Sequence, residues 1–221
     1  LISHWRRHGL NFATLIAGLA VATALWSGVQ ALNEQARMSY DRAARLVGEA
    51  GAPAIVAARG GFVSEAHYVA LRRAGLKVSP VLDGAVRIGN RTVRLVGLEP
   101  LTRPGGAVLT GLDEARDLER FLRAPGEALL SRETLRRLGA RTGQRLRTDS
   151  GATLPPLALS ETVAPDLIVV DIGVAQDLLG RPGKVSRLVG ASDTPLDAAR
   201  IAAVAGDALR VSDRQDSSDL S

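Results

Sequence analysis

The sequence predicts an α+β protein: an N-terminal transmembrane helix, a helical stalk, and an extracytoplasmic domain of hairpins and short helices, built as one unit or two small lobes. Three observations carry that expectation. Residues 9–33 hold no charged side chain. Behind them, apolar runs of strand length mix with helix-length segments, each bounded by Gly, Asn, Asp or Pro. The order of these segments is not a regular strand–helix alternation, which argues against a doubly wound parallel sheet.

The bulk composition bounds what the chain can do. It has 221 residues, 46% hydrophobic and 23% charged, a globular balance. Aromatics are 3%, so the core is built from Leu, Val, Ala and Ile. With no cysteine, a disulfide framework, a thiolate zinc site and a cysteine nucleophile are excluded. The formal charge is +5 and the pI about 10.5. The arginines are interleaved with Asp and Glu along the chain, the pattern of a solvated surface rather than of a nucleic-acid partner.

The elements follow in order. Residues 1–9 form a short cytoplasmic segment containing Arg6 and Arg7. Residues 10–32 are long enough for the roughly 30 Å of hydrocarbon at about 1.5 Å per residue. Trp5 and Trp26 suit the two interfaces. Val29-Gln30-Ala31 fits a signal-cleavage site, but the apolar run exceeds the usual h-region of about 7–15 residues, so an uncleaved anchor is expected. Residues 33–50, rich in Ala, Arg, Leu and Glu, extend the helix outward as the stalk. The domain proper spans 51–211, and the Ser/Asp-rich tail at 212–221 is expected to be disordered.

Within the domain, residues 54–58 read as a strand and Ser64 as the cap of a helix over 65–74 that Gly75 ends. Strands are expected at 77–82, 85–88 and 92–97, with Gly89-Asn90 as a hairpin turn. Residues 98–111 read as loop and 113–123 as an amphipathic helix. A strand at 128–130 leads to Ser131, the cap of a helix over 132–138 that stops at Gly139. Residues 144–148 and 153–159 flank Asp149-Ser150-Gly151 as a second hairpin. A buried strand at 167–170, a helix at 174–179, a strand at 185–189 with Arg187 pointing outward, and a helix at 195–204 complete the expectation.

No catalytic, cofactor-binding or metal site is assigned. Gly139 to Gly143 has glycine spacing but no Lys, so it reads as a helix stop and turn. His4, His8 and His67 are too scattered for a three-ligand zinc site. Ser64 and His67 would make the core of a hydrolase set, but Ser64 is better used as a cap. Asp166 and Asp171 read as turn and cap residues. The turn Arg181-Pro182-Gly183-Lys184 could touch phosphates, without aromatic support.

Two stretches carry a resemblance. Ser3-His4-Trp5-Arg6-Arg7-His8 with the apolar run 15–31 resembles the first span of FtsX-like ABC transporter permeases. The block 128–139, then Gly143-Gln144-Arg145-Leu146, and the block 170–188, with Ala175-Gln176 and Gly180-Arg181-Pro182-Gly183, look like their MacB-like periplasmic core domain. The resemblance implies a membrane subunit coupling ATPase-driven motion to export or to lipoprotein or lipid handling. It implies a cytoplasmic ABC ATPase as partner, a second permease copy, and a periplasmic partner protein, at the bacterial inner membrane with the domain on the periplasmic side. It also implies three further helices beyond Ser221, where ATPase-contacting residues would lie, so none is carried onto this chain. The chain is then not an enzyme itself and needs no cofactor. The alternative is a single-span envelope protein whose outer domain is a protein-binding scaffold.

Overall fold

The computed structural model describes residues 18–21, 23–27, 30, 53–102, 115–191 and 195–212. The chain divides into two units, Leu1–Arg42 and Ala43–Ser221. In the first, residues 18–21 and 23–27 are helical. Among the described residues no helix is long and apolar enough to cross a membrane. The rest of the 10–32 run, the 33–50 stalk and residues 213–221 lie outside the described residues.

In the second unit, the described strands form one eight-stranded mixed sheet and one two-stranded ribbon. The elements are β1 (Ala54–Ala57), β2 (Val63–Ser64), α1 (Glu65–Arg73), β3 (Val78–Ile88), β4 (Arg91–Leu98), α2 (Ala115–Leu122), β5 (Ala128–Leu130), α3 (Arg132–Arg137), β6 (Leu157–Leu159), β7 (Leu167–Asp171), α4 (Ile172–Leu178), β8 (Lys184–Val185), β9 (Arg187–Gly190), α5 (Ala198–Ala205) and β10 (Leu209–Ser212). The large sheet runs β10-β1-β9-β3-β4-β7-β5-β6, and β2 pairs with β8 apart from it. β4 with β7 and β5 with β6 are parallel; the other pairs are antiparallel.

Both faces of the central strands are covered, and the side-chain period of two sorts residues between them. Val81, Val96, Leu98 and Val169 pack with Phe121 of α2. Their chain neighbours Leu82, Leu95, Ile168 and Val170 pack with Ala175 and Leu178 of α4. A third cluster joins Ile55 and Leu188 to Leu71 of α1 and Ile201 of α5. The run Leu167 to Val170 is buried at every position, as a strand covered on both faces requires. Phe121 is fully buried; truncating such a ring to Ala costs about 3–5 kcal/mol.

The local signals act as expected. The Ser64 Oγ accepts the Ala66 N–H at the start of α1, and the Ser131 Oγ accepts the Thr134 N–H at the start of α3. β3 and β4 meet across a two-residue turn in which Gly89 has φ +58°, while Asn90 does not enter positive φ. A glycine at the first central position is the type II′ requirement, so only one of the two turn residues uses its left-handed freedom.

Four expectations change. The strands at 77–82 and 85–88 are one strand, because Asp83 and Gly84 do not interrupt it. Asp83 is neutralised by arginines on both neighbouring strands, and a Cβ at Gly84 would lie 2.5 Å from Leu179, so the glycine admits the end of α4. The second hairpin is reduced to an isolated Arg147–Thr153 bridge, with strand only at β6. Pro155 and Pro156 supply no N–H there, and the Asp149 N–H turns to the Arg87 carbonyl at 2.8 Å. The strand at 185–189 is split at Ser186, whose Oγ accepts the Asp83 N–H at 2.9 Å. Arg187 does not point freely outward: it is half-buried and paired with Asp83. β10, absent from the expectation, closes the edge beside β1.

Candidate functional site

The parallel register of β4 and β7 sets Leu98 beside Asp171, so both strands deliver an acidic residue, Glu99 and Asp171, to the same end of the sheet. Asp171 caps α4, its Oδ1 accepting the Gly173 N–H at 2.9 Å. Burial pushes its carboxyl above the usual value; N–H groups of Gly173, Val174 and Ile172 oppose that shift, and the charge of Glu99 adds to it. Glu99 is itself held. The Tyr68 hydroxyl donates to its Oε2 at 2.7 Å, and the Thr102 Oγ1 lies 2.9 Å from the same oxygen. The buried Ser79 hydroxyl donates to the Glu99 carbonyl at 3.3 Å. Burial, chiefly, raises the Tyr68 phenol, and the Glu99 charge adds to the effect.

A cavity of about 540 Å³ opens beside Asp171. Phe121, Leu154, Val174 and Leu178 supply apolar wall, while Asp177 and Arg145 bring charge. Gly173, Val174, Asp177 and Leu178 reach it as one helical stripe of α4, at the four-residue spacing of a single face. Its size lies within the range of small-ligand pockets. Its chemistry is modest: Asp171 is engaged as a cap. Among the described residues no group of three or more His, Asp or Glu side chains is arranged to hold a metal.

The residues considered from sequence are not brought together. Ser64 is engaged by the backbone of α1, and among the described residues no hydrogen bond joins it to His67. Asp166 occupies a turn with φ +57°; its N–H donates to Thr134 Oγ1 at 2.9 Å and its carboxylate pairs with Arg137. Gly139 ends α3 at φ +63°, and the Gly143 N–H donates to the Leu157 carbonyl at 2.7 Å. The guanidinium of Arg181 stacks over the Phe62 ring at 4.0 Å. The Glu99–Tyr68–Ser79–Thr102 cluster had no signal in the sequence, because its members come from α1, β3 and the end of β4.

The motif that carries the resemblance has a clear physical role. A Cβ at Gly97 would sit 2.3 Å from the Ala175 Cβ, so a small residue on each side lets α4 lie directly on β4. Gln176 Nε2 then donates to the Lys184 carbonyl at 3.2 Å, and the Arg181 N–H donates to the Gln176 carbonyl at 2.8 Å. The Ala-Gln pair and the Gly-Arg-Pro-Gly turn thus form one closure between α4 and β8.

This defines a mixed α/β sheet domain in which the described residues considered from sequence do not converge on one site. No family model matches the chain. It is 27% identical over 202 residues, 83% of its length, to an uncharacterised ABC transporter permease protein of Mycobacterium tuberculosis. The chain spans about a quarter of that relative, 24% of its length. Among solved structures, the periplasmic region of MacB from Actinobacillus actinomycetemcomitans aligns at a TM-score of 0.49 with 9% identity, covering 76% of this chain and 91% of that one. The extracellular domain of the noncanonic ABC-type transporter YknZ from Gram-positive bacteria aligns at 0.48 with 11% identity, covering 73% and 99%.

Proposed function

We propose that this chain is the anchor and extracytoplasmic domain of an ABC transporter membrane subunit, and that the domain couples motion driven by a cytoplasmic ATPase to export or to lipoprotein or lipid handling. The observation that carries this reading is the 27% identity to an ABC transporter permease over 83% of the chain. In this reading residues 1–9 are cytoplasmic, 10–32 span the inner membrane, 33–50 form the stalk, 51–211 the periplasmic domain and 212–221 its tail.

The helical residues inside the 10–32 run support the anchor. Leu19, Val21, Leu25 and Trp26 are each at least 60% exposed, a surface suited to lipid rather than water. The Thr23 hydroxyl turns back onto the Leu19 and Ala20 carbonyls at 2.9 and 3.0 Å, which satisfies it within the helix as a bilayer demands.

The partners in this reading are the ATPase, a second permease copy and a periplasmic protein. The complete protein, gently extracted from its own membrane, should co-purify with an ATPase subunit. Reproducible absence of any ATPase, with the protein intact, would overturn the transporter reading and favour the single-span scaffold.

A further inference from the structure

We draw no further inference here: the strongest candidate, the cavity of about 540 Å³ beside α4, belongs to the site already described, and its charged lining, Asp171 engaged as the cap of α4 with Arg145 and Asp177 exposed and opposite in sign, selects no class of ligand.

Discussion

Arginines meet two different fates within one sheet. At its centre, Arg94 of β4 and Arg187 of β9 both close on Asp83 of β3, Arg94 at 2.6 Å. The three side chains are partly buried, and the Ser186 Oγ fixes the Asp83 backbone as well. At the β5–β6 edge, five arginines (Arg132, Arg136, Arg141, Arg145 and Arg147) are exposed and meet no carboxylate among the described residues. The central charges are structural: they let an acidic residue stand in the middle of an eleven-residue strand. The edge charges contribute less to the fold: Arg147 donates to the Gly151 carbonyl at 3.3 Å, and the five meet no carboxylate among the described residues. An arginine-rich sequence therefore cannot be assigned a role by composition; what matters is whether each guanidinium has a partner within the domain.

Substitutions can break or sharpen this contrast. The largest effect is expected where packing, not charge, holds the centre. Gly97→Val would drive a side chain into Ala175 and should destabilise the domain by about 3 kcal/mol, read as a lowered denaturant midpoint. If stability is unchanged, α4 does not lie on β4 as described. Asp83→Ala leaves two partly buried guanidinia facing each other and should cost about 2 kcal/mol. A further Arg187→Leu change in that background should recover part of the loss, which a double-mutant cycle measures.

A smaller effect is expected at Asp171. Its carboxyl is raised in the folded state by burial, so the native protein binds this proton more tightly than the unfolded chain. Stability from this group is then present below the unfolded carboxylate value of about 3.9 and declines as pH rises through the folded value. Asp171→Asn keeps a good capping side chain without the charge. The variant should match the wild type near pH 4 and exceed it at pH 7 by about 1 kcal/mol or less. A wild type that gains relative stability as pH rises would reverse the sign and refute the assignment. The smallest effect belongs to the edge: Arg136→Ala should change the melting midpoint by no more than about 0.5 kcal/mol equivalent. A large loss there would mean the edge arginines are structural after all.

The features visible in the sequence were those with a short-range cause. Gly89 at the β3–β4 turn, the caps at Ser64 and Ser131, and the helix stop at Gly139 each act on residues within a few positions. The same local reasoning failed at Asp83-Gly84, which reads as a break until Arg94, Arg187 and Leu179 are set around it. It failed at Arg187, which alternation places in solvent and Asp83 draws inward. It missed β10, a short strand whose partner, β1, lies far earlier in the chain. The carboxylates at Glu99 and Asp171 were individually visible, but their shared end of the sheet depends on the parallel pairing of β4 with β7. The six arginines of residues 128–160 were visible in the sequence, but that Arg137 and Arg87 take Glu133 and Asp149 was not.

By itself, then, the amino-acid sequence determined the mixed α+β class, the turns and the helix starts, because positive φ at glycine and hydroxyl caps are properties of a few consecutive residues. Tertiary structure alone decided the strand order, the continuity of β3 and which charges are neutralised. Those outcomes depend on cross-strand contacts such as Arg187 with Asp83, 104 positions apart, and no local pattern encodes which distant strand will lie alongside.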